Sequence, residues 1–330
     1  VTAAAVPGTG ALTAHLVRRG LATSADDLDV RTLAGGVSND VVAVRGPGLD
    51  VVVKQALGRL RVAEEWLADP ARIDTEGRAL RLAGQLLPGA VPAVLDLSDG
   101  YLVIERAPDS WRTWKEDLLA GDADPSVAEQ LGHALGMWQR STAGRADVTR
   151  DFDDVTAFTQ LRVDPFHRTV AERHPDLAGV IGRTVEDMAA SRVCLVHGDY
   201  TPKNVLVDPS GGQPWVIDWE VAHVGDPTFD PAWTVGHLLL KSIHRPDTAV
   251  AYSAAASAFL AGLDAELAGA VRIAADQLTR QTGCLLLARV DGKSPADYLT
   301  DDQRRTTRDL ARRLLTDPPA TITDSWELLA

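Results

Sequence analysis

Two polar clusters pinned between short apolar runs constrain this chain more than any other feature in it. The first is His197-Gly198-Asp199-Tyr200-Thr201-Pro202-Lys203-Asn204, flanked by Leu195-Val196 and Val205-Leu206-Val207. The second, Asp218-Trp219-Glu220, follows Val216-Ile217 after the turn-forming run Pro209-Ser210-Gly211-Gly212. Short β-branched runs bounded by Gly and Pro read as strands. Asp199 then leaves one strand end, Asn204 returns at the next strand start, and Asp218 ends the second strand of a hairpin. Three oxygen-bearing side chains are expected to converge in one cleft.

Phosphoryl transfer uses such a set. A carboxylate orients the acceptor hydroxyl and takes its proton, which assigns Asp199 as base. An amide oxygen and a second carboxylate suit a hard cation, which assigns Asn204 and Asp218 to Mg²⁺. His197 has two readings, a brace for the catalytic loop or a direct proton-transfer group. No His or Cys cluster suggests zinc.

The pattern His-Gly-Asp-x-x-x-x-Asn followed by Ile-Asp-Trp resembles the aminoglycoside phosphotransferase and choline kinase superfamily, of protein-kinase-like fold. The match is carried by His197, Gly198, Asp199, Asn204 and Asp218. The resemblance implies an α+β bilobal chain, with a small antiparallel β N-lobe and a larger, mostly helical C-lobe. It also implies transfer of the γ-phosphoryl group of ATP, or of GTP, to a hydroxyl of a small molecule. The expected acceptor is an antibiotic or related secondary metabolite; a sugar, nucleoside or amino alcohol of primary metabolism is the alternative. A catalytically silent kinase-fold binding protein is a further alternative.

The N-terminal half supplies the nucleotide side of this reading. Lys54 follows Val51–Val53 and projects from a strand, and Glu76 lies on the helix expected over 73–86. The resemblance pairs such a lysine and glutamate to hold phosphates; Asp74, Glu64 and Glu65 are alternative partners. Gly35-Gly36-Val37-Ser38-Asn39 is expected to turn over the phosphates, with Gly36 and Ser38 as candidates, because glycine permits close backbone approach. It lacks the full Gly-x-Gly-x-x-Gly pattern. Leu102–Ala107 is the expected hinge, meeting the base around Glu105 and Ala107. The lobes are expected to span 1–106 and 107–330.

The C-terminal lobe is expected to hold the acceptor. Helices are predicted over 127–141, 177–190, 228–242, 248–261, 264–289 and 301–315. The small-residue run 249–261 suits close helix packing. Glu220, Trp233, His237 and Arg289 are candidate acceptor contacts, with Tyr252 and Gln281 as further wall residues. Arg289 has the alternative of pairing with Asp291. The segment 109–126 reads as a solvated acidic loop or a lid. The short stretch from Asp218 to Pro231 leaves little room for a phosphorylated activation segment.

Composition narrows the partners. Lys plus Arg number 33 and Asp plus Glu 46, a formal charge of −13. Such a surface attracts polyanions poorly, so nucleic acid is not an expected partner. No apolar stretch is long enough to cross a membrane. With two cysteines, Cys194 and Cys284, and no secretory signal pattern, the chain is expected to work in the cytoplasm.

Overall fold

A computed structural model describes residues 9–33, 39–58 and 69–329. Five strands form an antiparallel sheet: β1 (Asp29–Thr32), β2 (Asn39–Gly46), β3 (Leu49–Ala56), β4 (Val94–Ser98) and β5 (Tyr101–Glu105). Their order is β1-β2-β3-β5-β4. Gly48 takes φ +72° in the two-residue turn that sets Gly46 opposite Leu49. Residues alternate between faces along a strand. Val51 and Val53 therefore join Leu12 and Leu16 of the Thr9–Arg18 helix in a small core. Val52 and Lys54 lie on the other face, toward the Arg72–Leu86 helix.

The second lobe is mainly helical. The Pro125–Thr142 and Ala249–Leu267 helices cross so closely that a Cβ on Gly132 would lie 2.1 Å from the Phe259 carbonyl oxygen. The small residues in this stretch thus serve packing, as expected. The Phe229–His244 helix packs against both the Ala249–Leu267 and Ala275–Asp291 helices. Three short ladders carry the polar clusters: β6 (Arg112–Thr113) and β9 (Trp215–Val216) flank β8 (Val205–Val207), and β7 (Cys194–Val196) pairs with β10 (His223–Gly225). Both cysteines are buried and free. Among the described residues no helix is long and apolar enough to cross a membrane.

Two expectations need correction, and one further element is not predicted at all. The predicted helix over 264–289 is broken: Ala268 and Gly269 take φ +47° and +77° and end the Ala249–Leu267 helix. Glycine just past a helix end is the stop signal there, masked by alanines that favour helix on both sides. The 109–126 segment is not a solvated loop. Thr113 and Glu116 form a capping box for the Trp114–Ala120 helix, Trp114 is buried, and Trp111 packs edge-on against Trp215 at 5.0 Å. Residues 156–173, for which no element is predicted, form a helix widened to π geometry over Thr159–Arg168 around Pro165, which lacks the N–H that α pairing needs.

Candidate active site

The loop after β7 is held by its own backbone. Asp230 accepts the N–H groups of His197 at 2.7 Å and Gly198 at 2.9 Å. Gly198 has φ +80°, and a Cβ there would meet Val221 at 2.8 Å, so only glycine fits. His197 donates from Nε2 to the Ile217 carbonyl at 3.1 Å and accepts the Asp199 N–H at Nδ1 at 3.0 Å. Burial lowers its pKa to about 4. A neutral ring with both nitrogens engaged braces the loop and ties it to the strand end before Asp218, so the proton-transfer reading of His197 is withdrawn.

Asp199 is buried, and its two oxygens are unlike. Oδ2 takes three donors: Arg162 at 2.7 Å, Asn204 at 2.8 Å and Lys203 at 2.9 Å. Oδ1 has no hydrogen bond among the described residues. Burial favours the neutral acid, but Arg162 and then Lys203 outweigh it and hold Asp199 below the ordinary aspartate range. The result is an ionised carboxylate with one oxygen fixed and one available to a hydroxyl proton.

Arg162 was not a sequence candidate. Its guanidinium also donates to the Gly198 carbonyl at 2.9 Å, so it fixes both the loop and the carboxylate. It lies in the π-helical stretch, in a region without readable periodicity. Arg162→Leu is expected to raise the Asp199 pKa, because a cation stabilising the ionised form is lost. A base with a higher pKa is protonated at higher pH, so the acid limb of the kcat/KM profile moves up by about one to three pH units. An unmoved limb would contradict the assignment.

Lys54 bridges Glu76 at 2.6 Å and Asp218 at 3.0 Å. Burial works against its charge, yet Asp218 and Glu76 together hold its pKa above the usual lysine range. Burial pushes Glu76 up to about 7, against the pull of Lys54. Asp218 moves the opposite way: burial is outweighed by Lys54 and Lys203, which hold it well below the aspartate range. The exposed Asp74 plays no part in this pair, and Glu64 and Glu65 lie outside the described residues. Asp218 also sits at φ +70°, a strained conformation for a residue with a side chain, of the kind that clusters at functional sites.

A divalent cation fits what this end of the cleft offers. Asn204 commits its amide N–H groups to Asp199, at the backbone oxygen (2.9 Å) and Oδ2, which leaves its amide oxygen unbonded among the described residues. With the ionised Asp218 it offers two hard oxygen ligands. The described residues contain no cluster of three His, Cys, Asp or Glu side chains able to hold an ion.

Other candidates fall elsewhere. Glu220 is buried and accepts from Asn39 and Arg72, each at 3.0 Å, so it joins the lobes and does not face an acceptor. Breaking this buried pair with Glu220→Ala is expected to cost about 3–5 kcal/mol, read as a lower denaturant midpoint. A loss below about 1 kcal/mol, as for an exposed pair, would contradict the clamp. Trp233 is core, packed on Phe229 and Phe166 at 4.8 Å each. Tyr252 and Gln281 are fully buried and bonded to the Leu118 carbonyl and His167. His237 and Arg289 remain partly open. The Glu105 N–H is committed to the Ala93 carbonyl at 2.9 Å, whereas the Ala107 N–H has no partner among the described residues. Gly36 and Ser38 lie outside the described residues. Every residue from Trp219 to Gly236 is buried, so this stretch presents no exposed hydroxyl to a modifying enzyme.

The model of the phosphotransferase enzyme family matches residues 29–265, more than two thirds of the chain. The chain belongs to this family. A methylthioribose kinase from Bacillus cereus is 27% identical over 225 residues, covering 60% of this chain and 56% of that protein. The chain thus spans a little over half the length of the curated relatives it matches. Among solved structures, an amicoumacin kinase in complex with AMP-PNP, Ca²⁺ and Ami has a TM-score of 0.59 at 15% identity, covering 91% of each chain. An ethanolamine kinase from Plasmodium vivax has a TM-score of 0.54 at 11% identity, covering 93% of this chain and 90% of that one. At these identities the structural likeness establishes the fold alone. The phosphotransferase fold and the α+β bilobal architecture agree with the sequence expectation.

Proposed function

We propose that the chain is a small-molecule kinase that transfers the γ-phosphoryl group of a nucleoside triphosphate to an acceptor hydroxyl. The observation that carries this reading is the asymmetry of Asp199. Three donors fix one oxygen, leaving an ionised oxygen to accept a proton. In the reaction, Asp199 Oδ1 takes the hydroxyl proton as the acceptor oxygen bonds to the γ-phosphorus. The bond between the γ-phosphorus and the bridging oxygen to the β-phosphate breaks, and the nucleoside diphosphate leaves with that electron pair. Lys54, oriented by Glu76, meets phosphate oxygens. Mg²⁺, held by Asn204 and Asp218, would supply further neutralisation of phosphate charge. ATP is the expected donor, with GTP possible, and Ala107 is the candidate for the base contact. The nucleotide side is assigned to residues 1–106 and the acceptor side to 107–330.

An antibiotic is one candidate acceptor, and the methylthioribose kinases among the relatives favour a sugar hydroxyl. A phosphotransfer screen with Mg–ATP, read by product mass, separates these. Aminoglycosides, macrolides, nucleosides, sugars and amino alcohols form the panel. One class gaining a phosphoryl group supports the kinase reading; nucleotide binding without transfer to any acceptor points to the silent binding protein.

A further inference from the structure

Along one side of the catalytic loop the chain gathers basic side chains that have no carboxylate bonded to them among the described residues, although its overall charge is −13. His237 and Lys241 stand four residues apart on the Phe229–His244 helix and so share a face. Arg289 comes from the Ala275–Asp291 helix packed against it. Lys115 comes from the Trp114–Ala120 helix, which lies against the turn containing Lys203.

These groups are poorly compensated. Lys241 is 1% exposed, and its only hydrogen bond among the described residues goes to the Tyr298 hydroxyl at 3.2 Å, with that ring 5.0 Å from the ammonium. Arg289 donates to the Ser294 carbonyl and hydroxyl, and its buried Nε has no partner among the described residues. Nδ1 of His237 is likewise buried without a partner among the described residues. Asp291, the alternative partner for Arg289, is bonded to His174 at 2.9 Å and Arg308 at 2.7 Å.

The charges also feel one another. Burial lowers the Lys241 pKa far below the usual range, and Arg289 and Lys115 lower it further, with only the exposed Asp297 opposing. Burial lowers His237, and Lys241, Arg289, Lys203 and Lys115 add to that. Arg289 in turn feels Asp199, and Thr234, one turn before His237 on the same helix, donates to the Tyr200 carbonyl at 2.8 Å, which sets this helix against the catalytic loop. Burying basic groups without carboxylate partners is costly, and an anion placed among them would restore the charged forms, so such a site suits an anionic ligand.

We propose that Lys241, Arg289 and His237 seat an anionic group of the acceptor, a carboxylate or a phosphate monoester, and so present its hydroxyl to Asp199. This rests on the kinase reading and narrows it, excluding the polycationic and quaternary ammonium acceptors that an acidic chain would suggest.

The test uses the full chain with Mg–ATP and four sets of acceptors: glycerate and gluconate; glycerol 3-phosphate and ribose 5-phosphate; neutral ribose and glucose; cationic choline and kanamycin. One anionic set is expected to show the highest kcat/KM, and which set does so distinguishes carboxylate from phosphate. Lys241→Met and Arg289→Gln should each raise KM for that acceptor by about ten-fold or more, the loss of one charged hydrogen bond. Preference for a neutral or cationic acceptor, or unchanged KM in both variants, overturns the proposal. Failure of the kinase reading looks different: no acceptor of any charge is phosphorylated. The anion site is then read by thermal shift with saturating Mg–AMP-PNP. Malonate and inorganic phosphate are the probes. A rise in Tm for the wild type that is lost in Lys241→Met supports the site; equal behaviour of both proteins overturns it. Lys241→Met should itself have a higher Tm than the wild type, since a buried amino group with no carboxylate partner among the described residues is replaced by an apolar chain, which also controls for misfolding.

Discussion

Asp199→Asn is expected to lower kcat by about 10²- to 10⁴-fold, the contribution of a positioned general base. The amide is nearly isosteric and can still accept from Arg162, so the loop should keep its shape. What changes is charge. Arg162 and Lys203, 2.7 and 2.9 Å from the carboxylate, lose their counter-ion. The cleft becomes more positive, and a polyanionic nucleotide should bind at least as tightly as before. Collapse of kcat with retained nucleotide affinity separates loss of the base from loss of the fold. Steady-state kinetics paired with equilibrium titration of AMP-PNP reads both quantities.

Lys54→Met is expected to act on the other substrate, lowering kcat/KM for the nucleotide by about 10²- to 10³-fold, as for the removal of one preorganised electrostatic donor. The variant also leaves Glu76 and Asp218 without the ammonium between them. In the wild type the folded pKa of Glu76 is about 7, above its unfolded value of about 4.3. The folded state therefore holds more protons in that window, and stability falls as pH rises from about 4 to 7. Without Lys54 the Glu76 pKa rises further, so the decline should extend to higher pH. Chemical denaturation across pH checks this. A nucleotide KM and a pH profile like those of the wild type would remove Lys54 from the phosphate site.

How much of this was legible in the sequence depended on how local each signal was. Asp199, Asn204 and Asp218 stood out because short apolar strands bracket them, and the ladders around β7 and β8 form as the pattern implies. The strand of Lys54 and the helix of Glu76 were legible from their apolar patterns, whereas the pairing of the two came only with the family resemblance. Arg162 was not: it reaches Asp199 from a helix whose π geometry and internal Pro165 erase the usual period. Glu220 misled for a related reason. Its nearness to Asp218 suggested chemistry, but its partners Asn39 and Arg72 lie in the other lobe, at separations that local spacing does not encode. Trp233 looked like a pocket wall because helical spacing does not tell which face of a helix is covered. The Thr113-x-x-Glu116 box was readable in principle and was hidden by the acidic run after it.

The account turns on Asp199 Oδ1 as the acceptor of the hydroxyl proton. Single-turnover phosphoryl transfer at saturating Mg–ATP, with the acceptor found in the screen, measures that step in the wild type and in Asp199→Asn. Transfer in the variant is expected to slow by about two orders of magnitude or more, with AMP-PNP still bound. Transfer at the wild-type rate by Asp199→Asn would contradict it.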